Sequence, residues 1–577
     1  MPKVQKAPEA NAYVTLTLHA HLPYVINHGT WPHGLEWLLE AAAETYLPLL
    51  RALEELERAN CPLRANINFS PILCEQLRHP VFQAELPRYL QRKIESARLD
   101  QAYFQKMGEQ HLTSVARYWE EFFDTDLRQF EELGRDILRG FQHFHDTNQI
   151  EIITCAATHG YFPLMGFDEA ISAQVKTGVA AHKKHFGAQP RGIWVPECGY
   201  RPAGMWSYPV RPVSSPEEMY RPFDRRGVEQ FLGENGIEFF FVDTHLIETS
   251  ARFTPYDYLI GGVQIAMEEE SDEPHPSLYQ TYLVDGPSRG KFDVACFPRD
   301  PKTGTQVWSG DIGYPGDPVY LDFHKKRWPG GHRYWQVTNS KIDMALKTAY
   351  YPQEATDRTR AHAEHFASIA RDVLQNAPRQ DGIPPILTSP FDAELFGHWW
   401  YEGTEWLKNL ALAFGRPDSP VQLISCAEYL DRFQPSGYVS LPEGSWGKNG
   451  TNEVWLNPDT SWTWTHIYPA EEAVRAMAAN PKWRQTEESQ RLAKQICREL
   501  LLLESSDWQF LITTGAARDY AEKRFNTHLD QFRVLIDAWR RFDAGQPLSA
   551  ESLHSLAEIE KRDSVFADID PTCWATK

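Results

Sequence analysis

The segment SPFDAELFGHWWYEG, residues 389–403, combines the side chains that sugar chemistry requires. It places two carboxylates, Asp392 and Glu394, beside His398 and three consecutive aromatic residues, directly after the apolar run at 386–388. Carboxyl groups act as acid, base or nucleophile at a glycosidic bond, and flat aromatic faces bind pyranose rings. The segment therefore indicates an active site for carbohydrate chemistry at the end of a strand.

A second carboxylate, Glu197, has the same kind of setting in RGIWVPECGYRP, residues 191–202. Residues 193–195 predict a short buried strand, Pro196 ends its hydrogen-bond ladder, and Glu197 follows at the carboxyl end. An α/β barrel keeps its catalytic groups at that end of its strands. A structural ion pair with Arg191 or Arg201 is the alternative, and on this residue alone it stays open.

The same pattern recurs along the first 400 residues, where apolar runs end in polar, reactive side chains. The run at 14–18 leads into His19 and His21, and the run at 63–67 leads into Asn68. The run at 150–154 leads towards His159, and the run at 239–242 leads into Asp243 and His245. Helical stretches at 35–57, 171–186 and 226–235 separate them, and glycines end the last two. Alternating strands and helices with functional residues at strand ends predict a parallel α/β barrel.

Eight stretches of the chain resemble glycoside hydrolase family 57, and within it the 1,4-α-glucan branching enzymes. In family order they are LHAHLPYV (18–25), WPHGLEWLLEA (31–41), ATHGYFPL (157–164), IWVPECGY (193–200), VWSGDIGYPGDPVY (307–320), SPFDAELFGHWWYEG (389–403), SWGKNGTNEVWLNPDTSWTW (445–464) and SSDWQFLITTG (505–515). Eight matches of this length, in the family's order, do not arise by chance.

The resemblance implies a distorted (β/α)7 barrel with a helical insertion and a mostly helical carboxyl-terminal domain. We expect the catalytic barrel over residues 1–420, including the insertion at about 75–145, and the helical domain over 421–577. The residue patterns agree. Charged and apolar residues alternate at helical spacing through the insertion, and long helices are predicted at 487–504, 516–542 and 549–562, with strands ending at about residue 420.

The resemblance also implies roles for individual residues. Glu197 matches the family's nucleophile and Asp392 its general acid/base. The residues that match substrate-binding positions are His19, His21, His159, Trp308, Trp446 and Asp507, and more loosely Arg299 and Gly316. The chain departs from the pattern at Ala516, where branching enzymes often carry glutamine, so one glucan contact is in doubt.

The family's mobile loop, whose tip carries a tyrosine needed for transfer, is expected between residues 254 and 287. This stretch is long and acidic, and its tyrosines Tyr256, Tyr258, Tyr279 and Tyr282 are all candidates for the tip.

The histidines admit a second interpretation. His19 and His21 are two residues apart in an extended segment, so they point to one side, and such a pair near a carboxylate is also a way to hold zinc. A metal-dependent mannosidase or polysaccharide deacetylase is therefore an alternative, and a noncatalytic glucan-binding protein is a third. The resemblance favours sugar binding and implies no metal and no organic cofactor.

Composition limits the partners and the compartment. The net charge of −20, from 58 basic and 78 acidic residues, argues against nucleic acid and anionic membranes as partners. The eight cysteines form no CxxC pair, which favours reduced thiols over disulfides or a zinc site. The amino terminus lacks the apolar core of a signal peptide, and no run reaches the roughly 18 apolar residues of a membrane span. We expect a cytoplasmic protein.

The resemblance implies a retaining branching enzyme that acts on an α-glucan such as amylose or a glycogen-like polymer. It would cleave an α-1,4 linkage and transfer the chain to a glucose 6-hydroxyl, with the carboxyl groups of Glu197 and Asp392 roughly 5 to 6 Å apart. Amylases and 4-α-glucanotransferases of the family share this carboxylate pair, so they remain alternatives that the carboxyl-terminal motifs argue against.

Overall fold

The computed structural model describes residues 10–211, 221–247, 276–380 and 382–575. Seven strands form its central barrel, and we number them in chain order. They are β1 (Ala12–Ala20), β2 (Asn66–Phe69), β3 (Glu151–Cys155), β4 (Ile193–Trp194), β5 (Phe239–Val242), β6 (Ala295–Pro298) and β7 (Ile386–Asp392).

All seven barrel strands run parallel. β1 pairs with both β7 and β2, the order continues through β3 to β4, and β5 pairs with β6. Single parallel bridges, Gly192 with Phe239 and Arg299 with Thr388, join these two groups and close the ring. The predicted distorted seven-stranded barrel is therefore confirmed, and the distortion lies at the two seams where only one bridge links neighbouring strands.

The barrel strands are buried on both faces because side chains fill the interior and helices cover the outside. Every residue of β1 is buried, as is every residue of β5 and β6. The sequence located six of these strands to within a few residues but missed β6, a run of four residues whose polar flanks hide it.

Helices surround the barrel, and four of them form the predicted insertion: Pro71–Leu77, Pro80–Met107, Gln110–Glu132 and Ile137–Asp146. The other helices that precede residue 440 are Leu35–Ala41, Leu47–Arg58, Asp168–Phe186, Val228–Glu234, Pro301–Trp308, Pro352–Asn376, Gly403–Phe414 and Cys426–Arg432. A π-helical turn, Ala42–Tyr46, joins the first two of these.

The carboxyl-terminal part is helical, as expected. Its helices are Ser461–Ala479, Glu487–Leu503, Asp507–Thr514, Arg518–Asp543 and Ala550–Arg562. Polar caps set two of the starts: Thr486 accepts from the backbone N–H of Ser489, and Ser549 accepts from that of Ser552. The three helices predicted here agree with the structure to within two residues.

Short strands lie outside the ring, and two of them follow residue 420, where strands were expected to stop. Val421–Leu423 pairs with the start of β1, and Tyr438–Val439 pairs with Tyr282–Val284, which flanks β6. Runs of two or three residues give no periodic signal, so the sequence did not show them. The remaining short strands are Gly204–Trp206, Phe223–Arg225, Lys326–Arg327 and His332–Arg333. Among the helices of the described residues, none is both long and apolar enough to cross a membrane.

Candidate active site

A cavity of about 1330 Å³ opens at the carboxyl ends of the barrel strands. It brings together residues that are far apart in the sequence. The predicted site residues that line it are His19, His21, His159, Glu197, Trp308, Gly316, Asp392, Trp446 and Asp507. This is the face at which an α/β barrel carries its chemistry.

Arg299 is the predicted site residue that is not among the described residues lining this cavity. It follows β6, is 2% exposed, and forms an ion pair with Asp243 in which Nε lies 2.6 Å from Oδ1. Arg299 therefore lies behind the cavity wall, and a direct sugar contact by its side chain stays a prediction.

Glu197 follows β4 in a left-handed backbone conformation, with φ 60°. Such a conformation is costly for a residue with a side chain and is typical of functional sites. The Trp446 indole Nε1 donates to Glu197 Oε2 at 2.6 Å, which holds the carboxylate in the cavity. The two arginines of the ion-pair alternative bind elsewhere: Arg191 pairs with Glu238 and Asp431, and Arg201 donates to backbone carbonyls.

Asp392 ends β7 and is in register with His19 on β1. Burial and the nearby carboxylates of Glu394 and Glu197 raise the pKa of Asp392 well above its ordinary value. Burial disfavours its charged form, and so do neighbouring negative charges. Its protonated form is therefore favoured, which is the form that a general acid requires.

The buried histidines form a directional hydrogen-bond chain. The amide nitrogen of Asn68 donates to backbone carbonyls, so its Oδ1 accepts from His19 Nδ1 at 2.5 Å. His19 Nε2 then accepts from His159 Nε2 at 3.1 Å, and His159 Nδ1 accepts from the Ser506 hydroxyl at 2.8 Å. Burial lowers the pKa of both His19 and His159 well below the ordinary value, so both rings are neutral hydrogen-bonding groups.

The carboxyl-terminal domain supplies part of this site. Asp507 Oδ2 lies 3.0 Å from His21 Nε2, and Ser506 donates its backbone N–H to the His159 carbonyl at 3.2 Å. Gly160 and Ser505 form a β-bridge. The segment 505–507 therefore contacts the ends of β1 and β3, and Asp507 projects into the same cavity as the two carboxylates.

His21, His159 and Asp507 are close enough to hold a metal ion, because their ligand atoms lie within 4.8 Å of one another. Hydrogen bonds already account for these atoms: His21 Nε2 contacts Asp507, and both ring nitrogens of His159 have protein partners. In a second such group, Glu499, His528 and Asp563, His528 Nδ1 hydrogen-bonds Glu499, and the Gln531 amide donates to both carboxylates. The donor sets fit polar networks better than open coordination sites.

Removal of divalent metal should leave the activity unchanged. We expect dialysis against a chelator to alter turnover of amylose by less than about two-fold, because the polar atoms that could bind a metal ion already form hydrogen bonds with each other. Activity and elemental analysis of the same dialysed sample check this. Loss of activity that zinc or another divalent ion restores would support the metal-dependent alternative.

Comparisons with known proteins agree with this geometry. The model of glycosyl hydrolase family 57 matches residues 15–442. The chain belongs to this family. A second model, described as the carboxyl-terminal domain of 1,4-α-glucan branching enzymes, matches residues 466–574, which include Asp507. The family resemblance predicted from the motifs is therefore confirmed.

Three proteins of known structure are similar to the whole chain. The 1,4-α-glucan branching enzyme TK1436 of Thermococcus kodakarensis is 38% identical over 96% of this chain and 78% of its own sequence. Its crystal structure superposes with a TM-score of 0.87 over 98% of this chain and 97% of that chain. The branching enzyme of Pyrococcus horikoshii is 37% identical, with a TM-score of 0.86 over 98% and 97%. The α-amylase AmyC of Thermotoga maritima is 28% identical, with a TM-score of 0.78 over 98% and 99%.

The cavity also contains three exposed tryptophans, of which the sequence analysis singled out only Trp399, one of the three consecutive aromatic residues after His398. The side chains of Trp31, Trp328 and Trp399 are 66%, 61% and 42% exposed and line its outer part. Trp31 and Trp328 meet edge to face, with ring centroids 6.5 Å apart. Exposed indole faces along a cavity are suited to sugar rings. Trp31 opens the motif at 31–41, whereas Trp328 lies outside all the quoted motifs. Ala516, the departure from the family pattern, lines the same cavity.

Two of the four tyrosines proposed for the loop tip have other contacts. Tyr282 is buried in the strand Tyr282–Val284, and the Tyr279 hydroxyl donates to Asp300 at 3.1 Å. Tyr256 and Tyr258 lie outside the described residues, as does most of the expected loop.

Proposed function

We propose that this protein is a retaining 1,4-α-glucan branching enzyme, which is also the function expected from its motifs. One observation carries the proposal. Asp507, from the segment that matches the branching-enzyme carboxyl-terminal model, lines the same cavity as Glu197 and Asp392 and hydrogen-bonds His21. The relatives named as branching enzymes support this over the full length of the chain.

In the first displacement, Glu197 attacks the anomeric carbon while Asp392 donates its proton to the departing glycosidic oxygen. The bond from carbon to the leaving oxygen breaks, and a covalent glycosyl–enzyme ester forms with inverted configuration. Trp446 orients the attacking carboxylate through its indole N–H. A hydroxyl of the bound glucose unit would replace the hydrogen bond between the two Nε2 atoms of His19 and His159, donating to His19 and accepting from His159.

In the second displacement, the Asp392 carboxylate takes the proton of an acceptor 6-hydroxyl, whose oxygen attacks the ester and restores the α configuration. Water competes for the same intermediate at about 55 M, so transfer requires a positioned acceptor, and effective molarities of roughly 10⁵ M or more are available to well-oriented groups. The exposed tryptophans Trp31, Trp328 and Trp399 give a second glucan chain an apolar surface beside the catalytic pair.

Incubation with amylose tests the proposal. We expect the iodine-binding capacity to fall and new α-1,6 linkages to appear in the proton NMR spectrum, with few new reducing ends, because each cleavage is followed by transfer. Digestion with a debranching enzyme should then release short linear chains. Reducing ends that rise without α-1,6 linkages would indicate an amylase, and new long linear chains would indicate a 4-α-glucanotransferase.

We also propose that the enzyme works in the cytoplasm on a glycogen-like polymer. The eight cysteines are all free in the structure, although a disulfide-forming compartment would favour their pairing. The net charge of −20 is compatible with a neutral polysaccharide, which needs no electrostatic attraction.

A further inference from the structure

A π-helical turn lies beside the segment that carries the general acid. Ala42–Tyr46 interrupts an otherwise continuous helix between Leu35–Ala41 and Leu47–Arg58. Pro48 follows the turn and has no N–H to donate to the carbonyl of Glu44, so the regular helical bond cannot form there. Single π turns of this kind are found frequently at functional sites.

Three contacts join the π turn to residues 394–398. Glu44 Oε2 accepts from His398 Nδ1 at 2.8 Å, and the Tyr46 hydroxyl donates to Glu394 Oε1 at 2.5 Å. Gly397, with φ 113°, packs so closely that an added Cβ would overlap the Glu44 carbonyl. The turn therefore holds the segment 394–398 in place through the side chains of Glu394 and His398 and through the backbone at Gly397.

Glu44 is itself held as a charged group. Burial would raise its pKa, but the guanidinium of Arg333, 3.0 Å away, and His398 outweigh burial and hold the pKa below its ordinary value. Glu44 is charged and is bonded to both Arg333 and His398. The turn is therefore a rigid support, since loss of either partner would leave a buried charge without its pairing group.

Glu394 differs from Glu44 because, among the described residues, no arginine or lysine forms an ion pair with it. It is 5% exposed, and its Oε1 accepts from the Tyr46 hydroxyl and from the backbone N–H of His21 at 3.3 Å. Burial raises the pKa of Glu394 to about 7. The titratable groups that face Glu394 are Tyr46, His21 and Asp392, and those that face Asp392 are Glu394, Glu197 and Cys198.

We propose that Glu394 is a positioning residue for the acid/base step: its carboxylate, held by Tyr46 of the π turn, keeps the proton on Asp392 until the glycosidic oxygen takes it. As the pH rises past neutrality, Glu394 ionises and its negative charge disfavours ionisation of Asp392, so the acid form persists to higher pH. In the step itself, the Asp392 O–H bond breaks and a new O–H bond forms on the leaving oxygen. Glu394 neither gives nor takes that proton. The inference rests on the proposed role of Asp392.

The pH dependence of kcat/KM on amylose tests the proposal. We expect Glu394→Gln to move the alkaline limb down by roughly one pH unit, which is a loss of about ten-fold above the limb and little loss below it. Tyr46→Phe removes a donor that stabilises the charged form of Glu394, so it should move the limb in the same direction by less. Glu394→Asp keeps the charge and should restore part of the shift.

A matched control exists in the same molecule. The Tyr350 hydroxyl donates to Glu402 Oε1 at 2.7 Å, Glu402 also accepts a backbone N–H, and burial raises its pKa to about 7. Neither residue is among the described residues that line the cavity. Tyr350→Phe and Glu402→Gln should therefore leave the alkaline limb in place, whatever they do to stability.

The outcomes separate this inference from the proposed function. One outcome is an alkaline limb that stays in place in folded Glu394→Gln and Tyr46→Phe while Asp392→Asn is strongly impaired. That result overturns the role of Glu394 and leaves Asp392 as the acid. Full activity of Asp392→Asn would instead remove the acid/base assignment itself. A shift in the Glu402→Gln control equal to that in Glu394→Gln would also overturn the inference, because any buried carboxylate would then suffice.

Discussion

Replacement of Glu197 with glutamine should reduce turnover of amylose by a factor on the order of 10⁴ to 10⁶, the scale seen when a covalent nucleophile is removed. Glutamine can still accept the hydrogen bond from Trp446 Nε1, so the cavity should keep its shape and its affinity for glucan. Steady-state kinetics and glucan binding by the inactive variant check both parts. A variant that binds glucan and does not turn it over separates chemistry from folding.

The smaller variant Glu197→Ala allows a chemical rescue. Azide can enter the space that the carboxylate vacates and attack the anomeric carbon from the face opposite the leaving group, which gives a β-glycosyl azide. We expect azide to restore part of the activity on an activated donor such as α-glucosyl fluoride, with NMR showing the β product. An α product, or wild-type activity without azide, would contradict a nucleophilic role for Glu197.

The sequence pointed to the two proposed catalytic carboxylates because each is local to a recognisable strand end. Glu197 follows an apolar run and a proline, and Asp392 ends the strand β7, so the chemistry and the element that positions it are adjacent in the chain. The strand β6 was missed although β5 is equally short, because β6 has polar flanks and includes alanine and proline, which are uncommon in strands.

The support for the acid/base segment could not be predicted in this way. Tyr46 and Glu394 are 348 residues apart and meet only because the π turn packs against the segment directly after β7 in the folded barrel. A single sequence carries no signal for such a contact. For the same reason the pairing of Arg299 with Asp243 was not foreseen: the two side chains come from the ends of adjacent strands, and the motif match does not say which way each points.

Asp392→Asn should lower turnover of amylose by about 10²- to 10⁴-fold, the usual contribution of general acid–base catalysis. Because burial and the neighbouring carboxylates raise the pKa of Asp392 well above its ordinary value, its neutral acid form is favoured, and asparagine resembles that form in charge and shape. The loss should therefore appear in kcat with KM little changed. Fluoride leaves without needing a proton, so kcat/KM for α-glucosyl fluoride, which reports the first displacement, should fall far less than kcat/KM for amylose.

The product formed with azide distinguishes the two carboxylates. In Asp392→Ala the glycosyl–enzyme ester with Glu197 still forms from an activated donor, and azide then attacks it from the side that Asp392 vacated, so the product is the α-glycosyl azide. Glu197→Ala should give the β product under the same conditions. Glu394→Gln serves as the neighbouring control, because below the alkaline limb it should retain most of its activity. If Glu394→Gln were inactive at every pH while Asp392→Asn remained active, the general acid would be Glu394, two residues further along the chain.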